Sequence, residues 1–558
     1  MRRPTLLLGL LLVVLACLAN APALEAGFLW DDDALTTNSN FESLAGLWQL
    51  WVNPNSVPLE QHYWPVTYTS FWIEAQLWGL APGGLHATNL ALHALNCLLL
   101  WGLLGALGLR SAWWVAAIFA VHPIHVESVA WIIERKDLLS ATFYLMAAHA
   151  YLASERAREA KRSAGPQVVA LFLCYLLGAW SKSVALSLPI ALGLVQWARR
   201  GTLRRREVAL FGSLLVLGVA LAGYDLARSS NADSLAEFSW TLGERIGIAG
   251  RALSFYGRSL AIPVGLTPVV PYFEVGGLQA LVHPIGWTAV LAVLYLRRGQ
   301  WTRWPAALLS IWFVTLAPML CLIPFSWMRH SFVADRFQYL ASAAGLVLLV
   351  LACERVLARF GRSARGWIAA GVVGILGFLS FQYTGIFAHE ESHARRITEY
   401  NPSAWVGHFN LAMVLRREGD LQGALLANDR AIEARPDFAG SHNNRGDLLM
   451  SMGREVEARD ALLRALELDP ELPTAHNNLG LLYTESQDWD HAREQFDRAI
   501  ELRPEFAVFR VNLGLLYAKS GRLEPAEQAF ERALELEPGN AIALQSLETI
   551  RKLRAAEQ

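Results

Sequence analysis

Phe28-Leu29-Trp30-Asp31-Asp32-Asp33 follows the first hydrophobic segment of the chain, and what this run is for decides how the rest is read. Three adjacent carboxylates repel one another, and withdrawing any of them from water costs several kcal/mol unless it is paired. A solvated acidic turn beside a membrane is the plain explanation. Its company argues otherwise, because His, Asn, Arg and Lys recur at the ends of later hydrophobic segments. The run is therefore read as an outward loop of a polytopic membrane protein and as a candidate catalytic centre.

Composition bounds the rest. A chain of 558 residues exceeds one ordinary domain. Hydrophobic residues make up 54% of it, with 21 Trp and a positive mean hydropathy. Apolar runs dominate residues 1–387, whereas the remainder is charged and helix-forming. A formal charge of −1 without a basic stripe argues against a nucleic-acid partner. Cys17, Cys97, Cys174, Cys321 and Cys353 lie inside apolar runs and offer neither a disulfide framework nor metal-ligand spacing.

Arg2 and Arg3 precede an apolar run from Thr5 to Leu24, too long for a signal h-region and followed by many further spans. Read as an uncleaved anchor that starts in the cytoplasm, it puts Asp31–Asp33 outside. Further spans are expected near 85–109, 111–122, 137–153, 166–182, 183–198, 207–226, 282–296, 304–324, 338–353 and 367–386. Basic clusters around Arg158, Arg204, Arg298 and Arg359 each fall in a loop that eleven spans place in the cytoplasm, which leaves the C-terminus outside. Segments 124–134 and 243–262 read as re-entrant or interfacial. The aromatic stretch from His62 to Trp72 reads as a helix lying on the outer leaflet.

His86, Asn89, His93 and Asn96 share one helix face, which lines a cavity or bonds to neighbouring helices; a functional role is favoured for His86, at the outer end. His122, His125 and Glu127 suit a transition metal or zinc, although their spacing matches no standard zinc signature. Glu134-Arg135-Lys136-Asp137 follows on the same side. Arg135, Lys136, Lys182 and the Asp335-Arg336 pair preceding Tyr339 are outer-face cations or their neighbours, placed to hold a lipid phosphate. Snorkelling is the alternative for Lys182.

These motifs resemble the transmembrane and tetratricopeptide-repeat-containing protein family. Phe28–Asp32, Tyr63-Trp64-Pro65-Val66-Thr67, Gly84–Asn89, His122–Trp131, Glu134–Ser140 and Ala334–Leu340 carry the likeness, and the His122–Leu138 block is its most specific portion. Trp64 departs from the pattern where many members have Arg, and Asp33 lies outside the family's acidic pair. The resemblance implies an all-α, C-type glycosyltransferase-like membrane core related to protein O-mannosyltransferases. Eukaryotic members move mannose from a dolichyl-phosphate donor to Ser or Thr. It also implies catalytic roles for Asp31 and Asp32. Sugar transfer from a lipid phosphate needs a base and a cation for the leaving group. Asp31 or Asp32 serves as the base, and Arg135, Lys136, Arg336 and Lys182 bind the donor phosphate. His86, Asn89, His93, His122, His125, Glu127, Asp137, Asp335 and Tyr339 line the pocket, and a divalent metal bridging the Asp pair and the phosphate stays open.

Beyond Tyr400 the pattern changes. Pro436, Pro470, Pro504 and Pro538 are 34 residues apart, as are Gly446, Gly480 and Gly514, the signature of tetratricopeptide repeats. Four repeats are expected over 405–558, with residues from 541 as a capping helix. A linker at 388–404 joins them to a membrane domain spanning residues 1–387. Asn410, Asn444, Asn478 and Asn512 keep the same spacing on the first helix of each unit. A side-chain amide can pair with an extended backbone in both directions, which suits acceptor binding; bonding within the repeats is the alternative. The expectation is an integral protein of a bacterial inner membrane with a cytoplasmic N-terminus and periplasmic repeats. It takes a polyprenyl-phosphate hexose and an acceptor polypeptide, with membrane lipid around it. A membrane-anchored scaffold and a transporter are the rival readings.

Overall fold

The computed structural model describes residues 3–53, 56–57, 63–229 and 238–557, and all regular structure among them is helical. The chain divides into two compact units, Met1–Asn401 and Pro402–Gln558.

In the first unit, the apolar segments coincide with helices Arg3–Ala19, Pro82–Ala106, Ala112–Ala120, Arg135–Glu159, Gly165–Ser181, Leu188–Arg200, Arg205–Ser229, Val282–Leu296, Trp304–Leu316, Ser342–Val356 and Arg362–Ile386. A crossing helix needs about 20 predominantly apolar residues. Among the described residues, only Pro82–Ala106, Arg205–Asp225, Gln279–Leu296 and Arg362–Ile386 meet that requirement alone. Ala112–Ala120 and Pro123–Ala130, bent by 56°, make a fifth if they count as one span. The expected count of eleven is not confirmed, because helices such as Trp304–Leu316 are short and Arg135–Glu159 opens on charge. Large apolar side chains exposed on Arg362–Ile386, among them Trp367, Ile375 and Phe378, suit contact with lipid rather than water.

Two further segments take definite form. Residues 243–262 form a regular helix, Leu242–Ala261, started by a capping box in which Thr241 and Glu244 satisfy each other's backbone N–H groups. The aromatic stretch becomes half of a helix pair, Leu44–Val52 and Pro65–Trp78, with His62 outside the described residues. Leu44, Trp48 and Val52 stand exposed four residues apart, an apolar stripe fit for a membrane interface. A groove of about 710 Å³ runs between several helices of this unit, with Leu104, Leu145, Leu192, Leu308 and Leu340 in its walls.

The presumed linker is not one. Its Glu390–Tyr400 stretch is a helix of the first unit: Arg396 donates to the Leu266 carbonyl at 2.9 Å and Asn401 to that of Val269 at 3.3 Å. Its dense charge disguised a docked helix.

In the second unit, four helix pairs follow, from Trp405–Glu418 with Leu421–Ala434 to Ala507–Lys519 with Leu523–Leu536, and Ala541–Glu557 closes the series. The small residues let each pair approach closely, since a Cβ at Gly480 would lie 2.8 Å from the Phe496 ring. A second recurrence escaped the sequence reading. His408, His442 and His476 each bond through Nε2 to the carbonyl of the proline six residues earlier, at 2.9, 2.9 and 3.0 Å. Arg510 takes over that bond to Pro504 in the fourth unit.

Candidate active site

Trp30 holds the acidic loop in shape with a left-handed backbone, φ +52°. For a bulky residue this conformation costs about 1–3 kcal/mol and persists only where surrounding contacts enforce it. Here the enforcing contact is a stack of the Trp30 ring on Trp131, centroids 5.6 Å apart. The two following carboxylates then part company. Asp32 is buried, and its oxygens accept from the Leu29 N–H and the Ile133 N–H, each at 2.9 Å. It clamps the loop to the segment before Arg135. Asp31 is half-buried, and its Oδ1 is withdrawn from the surface without a hydrogen-bond partner. Burial pushes its carboxyl up to about 6, against the pull of Lys136. Of the two candidate bases, Asp31 has the free oxygen and the near-neutral pKa that proton transfer wants.

Glu134 gathers the cations. Its oxygens lie 3.4 Å from Lys136 Nζ, 3.2 Å from Arg336 Nε and 3.6 Å from Lys182 Nζ. Burial alone would raise its pKa, but these three charges hold it down at about 2. Arg336 also pairs with Glu127, whose second oxygen accepts the Arg336 backbone N–H at 3.1 Å, and its guanidinium stacks 3.8 Å from the Trp327 centroid. Lys182 sits 2.7 Å from Asp137, which accepts from Ser128 at 3.2 Å. Three cations thus face Glu127, Glu134 and Asp137, and Glu134 divides itself among all three. Asp335 lies buried beside them, and burial together with Glu127 pushes its carboxyl well up, toward the neutral acid. Glu134 escaped the sequence reading as a site residue, although its place beside Arg135 and Lys136 was the available signal.

Several expected site residues serve the fold instead. Arg135 turns away from the cluster: Nε donates to Asn89 at 2.8 Å, Nη1 to Glu74 at 2.8 Å and Nη2 to the Leu85 carbonyl at 2.9 Å, over the Phe71 ring. With these bonds made it ties Pro65–Trp78 to Pro82–Ala106, so neither it nor Asn89 is placed to meet a phosphate. His93 bonds the Ala120 carbonyl and the Tyr339 hydroxyl at 3.1 and 2.8 Å, and Asn96 donates to Leu138 O and Tyr339. His125 bonds Phe119 O and Ser342, and His122 bonds Leu260 O. These are struts between helices rather than a lining. His86 props the acidic loop through Gly27 O at 3.3 Å. Among the described residues no group of three His, Cys, Asp or Glu could hold a metal ion. His122 bonds the Leu260 carbonyl, His125 bonds the Phe119 carbonyl and Ser342, and Glu127 pairs with Arg336.

In the second unit, Asn478 donates to Asn443 at 3.0 Å, Asn512 to Asn477 at 2.8 Å and Asn444 to Met413 Sδ at 3.1 Å. The recurring amides link successive repeats, while Asn410 stands half-buried on the first helix.

Family profiles described as tetratricopeptide repeat match residues 391–439, 477–541 and 437–505. The human protein O-mannosyl-transferase TMTC4 is 29% identical over 190 residues, 30% of this chain and 25% of that protein. The mouse protein O-mannosyl-transferase TMTC3 is 32% identical over 151 residues, 26% of this chain and 16% of that protein. The matched stretch thus spans about a quarter or less of these relatives' length, and the repeat region dominates the matches. The likeness to the transmembrane and tetratricopeptide-repeat-containing family is borne out by these relatives, over part of the chain. A tetratricopeptide protein of Thermus thermophilus is 19% identical, with a TM-score of 0.27 over 32% of this chain and 94% of its own.

Proposed function

We propose that this chain is a membrane glycosyltransferase that moves a hexose, mannose foremost, from a polyprenyl-phosphate sugar to Ser or Thr hydroxyls outside the cytoplasm. The observation that carries the proposal is Asp31, a carboxylate with one unpartnered oxygen and a near-neutral pKa, in the same electrostatic neighbourhood as Lys136 and Arg336. Donor binding draws support from the apolar groove. Its walls include Leu340 and Leu188, which follow Arg336 and Lys182 closely in the chain, so a polyprenyl tail would lie below its phosphate.

In this mechanism Asp31 accepts the proton of the acceptor hydroxyl as its oxygen attacks the anomeric carbon. The bond from that carbon to the phosphate oxygen breaks, and its electron pair leaves with the polyprenyl phosphate. Lys136, Lys182 and Arg336 take up the growing phosphate charge in surroundings where water is scarce, which strengthens each interaction. One base and one displacement invert the anomeric configuration. Asp32 keeps the loop in register, and the repeats bind the acceptor polypeptide, with their asparagine series as the candidate contact. The basic clusters support a cytoplasmic N-terminus and a bacterial inner-membrane setting, with the repeats in the periplasm. The repeat-dominated matches favour a rival, a scaffold that recruits envelope proteins through its repeats without catalysis.

The test uses membranes bearing the full chain, labelled polyprenyl-phosphate mannose and a Ser/Thr-rich acceptor peptide. Label reaching the peptide with wild type, and not with Asp31→Asn at equal expression, is the expected result. No transfer from this donor or from other lipid-linked hexoses would hand the case to the scaffold.

A further inference from the structure

Two buried polar groups near the acidic loop take no part in the ion-pair cluster. Trp131 is 2% exposed and its Nε1 has no hydrogen-bond partner among the described residues; His393 is 3% exposed and its Nε2 is in the same position. An unsatisfied buried group costs about 1–3 kcal/mol, so two in one cluster are poor packing unless a ligand completes them. The two rings are neighbours, with centroids 6.2 Å apart, and Trp30 lies 5.6 Å from the first and 6.2 Å from the second. Trp327 stands 5.9 Å from Trp30.

We propose that Trp131, Trp327 and His393 form the subsite for the donor's hexose ring, with Trp30 as its displaceable cover. The inference rests on the transferase reading and names how its sugar is recognised. A pyranose presents C–H groups on its faces and hydroxyls around its rim. Indole faces take the former, and an indole N–H with an imidazole nitrogen takes two of the latter. The position suits the chemistry, because Asp31 directly follows Trp30 in the chain. The Arg336 guanidinium lies 5.1 Å from the Trp131 centroid and 3.8 Å from that of Trp327, so a phosphate held there would carry its sugar against these rings. Trp30 now covers the Trp131 face. The sugar takes the place of this ring in the stack. Burial drives the His393 imidazole down to about 4, which keeps it neutral at physiological pH and able to meet a hydroxyl without introducing charge.

The experiment compares two probes, polyprenyl-phosphate mannose and bare polyprenyl phosphate, for binding to the full chain reconstituted in lipid nanodiscs. Wild type is expected to prefer the sugar-bearing lipid. Trp131→Phe, which keeps a ring but loses the N–H, and His393→Ala are each expected to cut that preference about fivefold, the value of one hydrogen bond. Affinity for the bare lipid stays unchanged in both, which also shows that they fold, and His393→Gln recovers some of the loss. If Trp131→Phe does not fold, His393→Ala carries the test. Folded variants that keep the full preference overturn the subsite, as does a wild type that binds both lipids equally. A wild type that binds neither overturns the transferase reading first, and the subsite with it.

Discussion

The acidic-loop cluster and the repeat array solve the placement of polar groups in opposite ways. In the array, one bond is redrawn unit after unit, as with the histidines that reach back to a proline carbonyl. Its ion pairs, such as Arg454–Glu457 and Arg498–Glu501, sit on exposed faces a turn apart and are worth little individually. Stability there is a sum of near-identical local contributions. In the cluster nothing repeats. Three cations share one buried Glu134, Arg336 joins Glu127 across 209 residues of chain, and polar atoms of Asp31, Trp131 and His393 stay unsatisfied. The array spreads its polar bonds over repeating local contacts, whereas the cluster gathers its charges around one buried carboxylate.

The contrast can be broken most sharply at Asp31. Asp31→Asn is expected to lower transfer about 10²–10⁴-fold, the range for losing a general base, while thermal unfolding stays as in wild type. The base works deprotonated, so wild-type transfer should fall as pH drops below about 6, and a rate–pH profile checks this. Arg336→Ala comes next, because it leaves Glu127 and Glu134 buried without their shared partner. A loss of about 3–5 kcal/mol is expected, read as a shifted denaturation midpoint. Asp32→Asn keeps one acceptor for two backbone N–H groups and should cost about 1–3 kcal/mol, with a smaller drop in transfer than Asp31→Asn. Reversed ranking of the two aspartates would exchange their roles. The smallest effect on catalysis belongs to Gly480→Ala. Its methyl would press on the Phe496 ring and destabilise the repeats by about 1–3 kcal/mol, seen in hydrogen exchange there, with cluster amides unaffected.

The array was legible in the sequence because each of its contacts recurs at a fixed spacing. The cluster was legible only in outline. Asp31, Lys136, Lys182 and Arg336 stood out as charges at an outer face, and the structure brings the three cations to Glu134. Arg135 looked equivalent to Arg336, and what separates them is Glu74 and Asn89, which reach it from 61 and 46 residues away. The His86–Asn96 face was placed correctly on one side of a helix. Whether that side met a cavity or another helix depended on Tyr339, 246 residues from His93. Glu134 was overlooked for the same reason, since two of its three cations, Lys182 and Arg336, come from distant parts of the chain.

The Asp32 clamp has a consequence for biosynthesis. Its partner, the Ile133 amide, lies 101 residues downstream, so the acidic loop cannot lock as it leaves the ribosome. At about 5–20 residues per second that partner arrives several seconds later, and Arg336 later still. The loop therefore stays unlatched while the first helices enter the membrane. A nascent chain halted before Ile133 would carry both aspartates and still have no assembled centre.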